Sequence, residues 1–134
     1  MVFVGAGCLK HGTLVVVQKK VIHVMEKTPS GKYEITRQLI TGGAITVDEV
    51  HGFVYWSNTK KVRRATLDSS NQMDIYVSDE YVYGLAVNPE EDKLYISDFR
   101  GKKIVVTSLD GNGGRTLITC TGNPTGLVLD LCKR

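Results

Sequence analysis

The segment GFVYWSNTKKVRRATLD, residues 52–68, recurs in altered form as DKLYISDFRGKKIVVTSLD, residues 92–110. Each version places a tyrosine within an apolar run, follows that run with a small polar pair, and continues into a basic stretch that ends in Leu-Asp. The recurrence extends to AITVD at 44–48, GLAVN at 84–88 and GLVLD at 126–130, which align at intervals of 40 and 42 residues. Internal periods of roughly 20 to 50 residues indicate solenoids or propellers.

Each repeat divides into four short segments separated by clusters of Gly, Pro, Asn and Asp, which is typical of consecutive antiparallel strands. The predicted strands of the two clear repeats are 44–48, 53–57, 62–67, 73–77, 84–88, 93–97, 103–109 and 115–119. The first 43 residues follow the same spacing with weaker matches, in the segments FVGAG, TLVVV, KVIHVM and YEITRQLI. No segment keeps apolar residues at helical spacing for long, so we expect no helix.

The first strand of each repeat is small and apolar, whereas the third and fourth strands carry more charged and polar side chains. This gradient predicts a propeller blade, whose first strand lines the crowded axis and whose last strand faces solvent. The sequence therefore predicts an all-β chain of about three four-stranded antiparallel blades. We assign residues 1–43 to a divergent blade, 44–83 and 84–125 to two clear blades, and 126–134 to the first strand of a further blade.

Composition and charge exclude several classes of protein. The net charge of +3, from 17 basic and 14 acidic side chains, is too small and too dispersed for a nucleic-acid partner. No apolar run approaches the ~18 residues of a membrane span, so direct membrane insertion is not expected. No signal peptide is visible, because no positively charged region precedes the first apolar residues. The chain is thus expected to be either cytosolic or a piece of a longer protein.

The segments YWSN at 55–58 and YISD at 95–98 are each followed by a strand that ends in Leu-Asp. They resemble the YWTD repeats of the low-density-lipoprotein receptor family, also called class B repeats. The resemblance covers 44–130 well and 1–43 only by spacing and pattern. It implies a ring of six blades, of which this chain supplies half, in the extracellular part of a receptor or matrix protein. It also implies protein binding on the face formed by the loops between second and third strands and by the connections between blades.

The resemblance gives an architectural role to six motif residues at or near the end of the second strand: Tyr55, Trp56, Asn58, Tyr95, Ile96 and Asp98. It implies that the large aromatic and aliphatic members pack between neighbouring blades. It further implies that Asp98 orders the exit of its strand by hydrogen bonding. Asn58 carries no charge, so an ion pair from it to an arginine of the third strand is excluded.

Five side chains in the loops of that face are the candidate ligand-binding residues: Lys60, Tyr81, Tyr83, Phe99 and Arg100. Aromatic rings and arginine bring large contact area and paired hydrogen-bond donors, which suit a protein-recognition surface. We therefore predict a protein ligand. The remaining blades of a longer chain, or a second copy in a dimer, are predicted as further partners. The alternative is a structural repeat whose loops are solvated and bind nothing.

A metal-dependent hydrolase is the alternative from another class, because some propellers hold a divalent metal in the central channel and hydrolyse lactones or esters. Asp48, Asn88 and Asp130 recur at the ends of first strands, and hard cations take such oxygen ligands. Turn capping predicts the same recurrence, since Asx side chains readily bond nearby backbone. No candidate nucleophile is paired with a base. We expect no enzyme activity, no metal and no cofactor.

Overall fold

The computed structural model describes residues 2–4, 14–18, 21–40, 43–58, 60–67, 71–78 and 81–129. All regular elements within these ranges are β-strands, and they form three four-stranded antiparallel sheets. The predicted all-β fold built from four-stranded blades is therefore confirmed. In the described part, no helix is long and apolar enough to span a bilayer.

Each sheet is one blade and consists of four strands that are consecutive in sequence. Blade one contains β1 (Val2–Val4), β2 (Leu14–Gln18), β3 (Val21–Lys27) and β4 (Tyr33–Ile40). Blade two contains β5 (Ile45–Asp48), β6 (Phe53–Asn58), β7 (Lys61–Thr66) and β8 (Met73–Val77). Blade three contains β9 (Val82–Asn88), β10 (Lys93–Asp98), β11 (Lys103–Ser108) and β12 (Arg115–Thr119). In blades two and three, the turn residues placed the predicted strand ends close to those observed.

The first strands β1, β5 and β9 form the inner layer, because β5 contacts both of the others while each remains at the edge of its own sheet. Every residue of β5 is buried, whereas every residue of β12 is exposed. The gradient of polarity seen in the sequence thus follows the distance of each strand from the axis.

The main core lies between the facing sheets of blades two and three. It combines buried side chains of both blades: Tyr55, Val62 and Ile75 with Val82, Leu85, Val87, Leu94, Ile96, Val105 and Leu109. Within a strand these residues are spaced mostly at intervals of two, since alternate side chains share one face of a sheet. Burial of each large apolar side chain contributes about 1.5–3 kcal/mol, so this interface is a main source of stability.

Trp56 lies on the other face of blade two, in a second cluster with Ile45, Val47, Val54 and Ala65. Only 2% of its surface is exposed. The sequence left open which pair of blades encloses Trp56. The structure places it on the face turned away from blade three.

One turn joins blades two and three through a close backbone contact. Gly111, between β11 and β12, has a φ of 92°, a conformation that side chains other than glycine rarely adopt. A side-chain carbon at Gly111 would overlap the backbone carbonyl of Ile75 in β8. Glycine at this position therefore permits both the turn and the approach of the two blades.

Residues 121–129 form no strand, although 126–130 had been predicted as the first strand of a further blade. The carbonyl oxygen of Thr125 accepts a hydrogen bond of 3.0 Å from Ser97 Oγ, so the segment runs beside blade three. A strand is defined by ladder hydrogen bonds, and no described residue pairs with this segment in a ladder. Asp130 and most of the predicted strand FVGAG lie outside the described residues.

Candidate functional site

The connections between blades and the loops between second and third strands lie along the same edge of blades two and three. The backbone N–H of Ser78, after β8, donates a hydrogen bond of 2.7 Å to the carbonyl oxygen of Lys60. The backbone N–H of Cys120, after β12, likewise donates a hydrogen bond of 2.6 Å to the carbonyl oxygen of Lys102. Each bond ties the connection that leaves a blade to the loop between that blade's second and third strands. We call residues 60, 81–83, 99–103 and 120–126 the loop edge.

Three candidate residues meet on the loop edge. The rings of Tyr81 and Tyr83 stack with centroids 5.9 Å apart, and Phe99 meets Tyr83 edge to face at 5.0 Å. Both geometries are favourable for aromatic pairs. Tyr81 is 49% exposed and Tyr83 is 43% exposed. We call these three residues the aromatic cluster.

A β-bulge at the start of β9 sets the position of Tyr83. Ser97 pairs with Gly84 and Asp98 pairs with Val82, so Tyr83 is the extra residue of the bulge. A bulge redirects a side chain out of the regular alternation and is frequent beside functional sites. Val82 consequently enters the core while Tyr83 stays on the loop edge.

An open cavity of about 510 Å³ lies beside the aromatic cluster, lined by Tyr83, Phe99, Gly43, Thr125 and Gly126. Gly43, Tyr83 and Thr125 hold the same position in successive repeats, so two small residues flank the tyrosine. A second cavity of about 260 Å³ lies along the inner strands and shares Gly43, Tyr83 and Gly126 with the first. The small side chains leave space next to the exposed rings.

Phe99 is displayed by a short loop that Asp98 holds in place. The Asp98 carboxylate is buried, and its Oδ1 accepts a hydrogen bond of 2.8 Å from the N–H of Gly101. A side-chain carbon at Gly101 would lie 2.6 Å from the Asp98 carboxylate, so only glycine fits there without rearrangement. Lys102 closes the loop with a φ of 52°. These contacts close the loop through residues of the loop itself.

The two basic candidates stand on different loops. Lys60 is exposed on the loop of blade two, and Arg100 is exposed on the loop of blade three next to Phe99. The structure thus groups the three aromatic candidates as one cluster and places the two basic ones along the same edge. The bulge, which no local sequence motif announces, is the feature that sequence reasoning missed.

Tyr55 and Arg64 of blade two both reach the carbonyl oxygen of Leu109 in blade three. Tyr55 Oη donates at 3.4 Å and Arg64 Nη1 donates at 2.8 Å. The Arg64 guanidinium carbon also lies 4.1 Å from the centre of the Phe53 ring. Burial raises the pKa of Tyr55 to about 12, so the phenol stays protonated at neutral pH. These contacts place Tyr55 at the junction of the two blades, away from the loop edge.

The other motif residues are divided between the two faces of their strands. Ile96 is fully buried against blade two, whereas Tyr95 is partly buried on the opposite face of β10. Asn58 is exposed at the end of β6. Arg63, on the third strand of blade two, forms an ion pair of 3.0 Å with Asp74.

The residues considered for a metal site cap turns at the edge opposite the loop edge. Asp48 Oδ1 accepts a hydrogen bond of 3.0 Å from the N–H of His51, and Asp48 Oδ2 lies 2.7 Å from His51 Nδ1. Asn88 Oδ1 accepts a bond of 3.2 Å from the N–H of Glu90. Asp130 lies outside the described residues. In the part of the chain that the structure describes, no group of three or more His, Cys, Asp or Glu side chains is arranged to hold a metal ion.

No family model matches this chain. Among solved structures, a chain of a nidogen–laminin complex superposes with a TM-score of 0.68 and 19% identity, covering 84% of this chain and 49% of that chain. Hsv2 of Kluyveromyces lactis superposes with a TM-score of 0.69 and 17% identity, covering 88% of this chain and 39% of that chain. Hsv2 of Kluyveromyces marxianus gives a TM-score of 0.62 and 20% identity, covering 82% and 34%.

This chain therefore spans about half of the nidogen–laminin match and less than two fifths of the Hsv2 chains. Identities of 17–20% show the fold alone. The matched structures are β-propellers, and 82–88% of this chain superposes on part of each of them. The chain has the β-propeller fold and forms three of its blades.

Proposed function

We propose that this chain is the three-blade part of a protein-binding propeller and that a protein ligand docks on the loop edge at the aromatic cluster. The observation that carries the proposal is the bulge that holds Tyr83 half-exposed against Phe99 at the rim of an open cavity. Aromatic side chains in such pockets are the residues that most often dominate the affinity of protein interfaces.

The order of the loop edge favours binding. Phe99 sits in a loop that the bond from Gly101 to Asp98 already closes, and Tyr83 is fixed by its place in the sheet. A ligand that docks on fixed rings loses little conformational entropy, because few side chains have to be ordered on binding. The small residues Gly43 and Thr125 leave room for one ligand side chain beside the rings.

We further propose that the complete protein is an extracellular receptor or matrix protein that resembles the low-density-lipoprotein receptor family and has six blades in its ring. The YWSN and YISD motifs and the likeness to a chain of a nidogen–laminin complex support it. A ring of blades at intervals of 40 to 42 residues would be about twice the length of this chain. Its other partners are then the remaining blades of the same protein.

We propose no enzymatic activity for the chain. The alternative of a metal-dependent hydrolase would use Asp48 and Asn88, whose oxygens are engaged with the backbone of their own turns. Titration calorimetry with calcium, magnesium and zinc is expected to give no heat of binding. A metal that binds with micromolar affinity would revive the hydrolase alternative.

The binding proposal can be tested on an array of secreted and cell-surface proteins, probed with the parent chain and with Tyr83→Ser. The matched control is Tyr33→Ser, which removes a tyrosine of similar exposure, 38%, from the last strand of blade one. We expect ligands that bind the parent and Tyr33→Ser but lose at least about tenfold in affinity with Tyr83→Ser, the scale of an interface anchor.

Thermal melting of both variants must match the parent, so that lost binding is not lost folding. A ligand that binds the folded Tyr83→Ser variant as well as the parent would place the site elsewhere. The absence of any ligand on the array would favour the structural alternative.

A further inference from the structure

Charge is segregated between the two edges of blades two and three. On the loop edge the exposed charged side chains of the described residues are all basic: Lys60, Arg100 and Lys102. The carboxylate of Asp98, also on this edge, is buried and accepts a hydrogen bond from the N–H of Gly101. On the opposite edge the exposed charged residues include four acidic ones, Glu90, Glu91, Asp92 and Asp110, against two basic ones, Lys93 and Arg115. The loop edge therefore attracts anionic groups and the opposite edge repels them.

Lys102 is held in an unfavourable backbone conformation. Its φ of 52° lies in the left-handed region, which glycine and asparagine adopt far more readily than lysine. Its exposed side chain forms no ion pair with any other described residue. A non-glycine residue in this region is a reason to look for function, since the local backbone preference would favour another residue.

The lysine stands next to the apolar part of the site. The N–H of Lys102 approaches the carbonyl oxygen of Phe99 at 3.4 Å, so both belong to one turn of the loop. Phe99 in turn packs against Tyr83 and lines the cavity. Lys60 and Lys102 hold the same position in their repeats, so the loop of each blade brings one lysine to this edge. The result is an apolar cavity with cations at its side.

We infer that the loop edge binds an acidic, extended segment of a protein, with one apolar side chain in the cavity and carboxylates facing Lys102 and Lys60. This inference rests on the proposed function and names the chemistry of its partner. A peptide is favoured over a sulfated polysaccharide because a sugar polymer has no apolar side chain for the space beside Tyr83 and Phe99. Complementary charge would also guide the segment to this edge and raise the rate of association.

The sequence places Asp79 and Glu80 shortly before Tyr81, and both lie outside the described residues. Lys102, on the loop of blade three, is therefore the residue to substitute. Lys102→Asn removes the charge and keeps a residue that suits a left-handed backbone. The matched control, Lys93→Gln, removes one exposed lysine from the start of β10 on the opposite edge.

The probe is a fluorescein-labelled peptide of four glutamates around one phenylalanine, followed by fluorescence anisotropy at low and at physiological salt. Two comparison peptides replace the glutamates by glutamine or the phenylalanine by serine. We expect Lys102→Asn to weaken the acidic peptide by at least about threefold, the scale of one exposed ion pair. The glutamine peptide should be unaffected by this variant, and Lys93→Gln should bind like the parent. Higher salt should reduce the difference, because it screens exposed charges.

Equal affinity of the parent and Lys102→Asn for the acidic peptide would overturn the inference, as would no binding of that peptide by the parent. With either of these results, a Tyr83→Ser variant that still lowers the affinity of a protein ligand would leave the proposed function standing and overturn only the acidic partner. If Lys102→Asn weakens the peptide and Tyr83→Ser does not, the peptide is held by charge alone, and both the apolar contact of the inference and the aromatic site of the proposed function are overturned. Heparin is the probe for a sulfated polysaccharide. If heparin binds the parent, binds Lys102→Asn more weakly and is not displaced by the peptide, the inference is overturned in favour of a polysaccharide.

Discussion

Arg64 of blade two donates a hydrogen bond of 2.8 Å from Nη1 to the carbonyl oxygen of Leu109 in blade three. The bond joins a side chain of one blade to the backbone of the next, across 45 residues of sequence. Backbone acceptors are present whatever the local sequence, so this contact depends on how the blades stack. The stability of the chain should accordingly be sensitive to a few contacts that bridge blades two and three.

Arg64→Leu is expected to lower the free energy of unfolding by about 1.5–3 kcal/mol, the range for a hydrogen bond from a charged group. The control is Arg63→Leu on the same strand, whose partner Asp74 is an exposed carboxylate and whose loss should cost under ~1 kcal/mol. Urea unfolding followed by tryptophan fluorescence gives both values. A larger loss for Arg63→Leu than for Arg64→Leu would contradict the role assigned to Arg64.

Gly111→Ala should destabilise the chain more than Gly113→Ala, although both glycines belong to one turn and have positive φ. A methyl group at Gly113 meets open space, so this variant should lose only the ~1–2 kcal/mol of a left-handed alanine. At Gly111 the methyl group also overlaps the carbonyl of Ile75, and the blades must separate to admit it. Thermal and chemical unfolding of the two variants measure the difference. Equal losses would show that blade two does not approach Gly111 so closely.

Trp56→Ala is expected to cost ~3–5 kcal/mol, the range for a large aromatic side chain lost from a core. The tryptophan is 2% exposed, whereas Tyr81, used as the control in Tyr81→Ala, is 49% exposed and should change stability little. Soluble yield and melting temperature are the measurements. A Trp56→Ala chain that melts within a degree or two of the parent would show that Trp56 is a surface residue.

The raised pKa of Tyr55 predicts a loss of stability in alkali. The unfolded chain releases this proton near pH 10 and the folded chain near pH 12, so the contribution is complete below pH 10 and is lost as pH rises towards 12. Its size is about 3 kcal/mol at most, because the pKa rises from 10.0 to about 12 and one pKa unit corresponds to about 1.4 kcal/mol. Tyr55→Phe removes the ionisable hydroxyl and should flatten this part of the pH profile.

Unfolding by urea at several pH values between 9 and 12 compares the two chains. Every other titratable group is common to the two chains, so only the difference between the profiles belongs to Tyr55. The hydroxyl bond to Leu109 is long, at 3.4 Å, and Tyr55→Phe should therefore differ little from the parent at neutral pH. Parallel profiles throughout this range would contradict the burial of the phenol.

The strands of blades two and three were predictable because two signals in the sequence agreed. Turn residues such as Gly52 and the segment PEED marked the strand ends, and the intervals of 40 and 42 residues showed that the same four strands recur. Tyr55 and Trp56 are adjacent in β6 and therefore point to opposite faces of its sheet. The sequence could not tell which neighbour each face meets, since that depends on the stacking of complete sheets.

The candidate site was only partly predictable. The loops that carry Tyr81, Tyr83 and Phe99 followed from the order of strands in a blade. The edge-to-face contact of Tyr83 with Phe99 did not, because it requires the bulge that pairs Asp98 with Val82. Nothing in the local pattern of Val82, Tyr83 and Gly84 distinguishes a regular strand from a bulged one. The left-handed backbone of Lys102 was equally invisible, since lysine is not a residue that marks such a turn.

The amino-acid sequence by itself determined the period, because the same motifs recur along the chain. It also determined the four strands of each blade and the inner position of the first strand, because these follow from polarity and turn chemistry within a few neighbouring residues. Only the tertiary structure decided which residues meet between blades, such as the Arg64 side chain with the carbonyl oxygen of Leu109 and Gly111 with the carbonyl oxygen of Ile75. It also decided that the segment after Thr125 lies beside blade three without forming a strand. Such contacts depend on the twist and spacing of packed sheets and on the presence of a partner strand, which no single segment encodes.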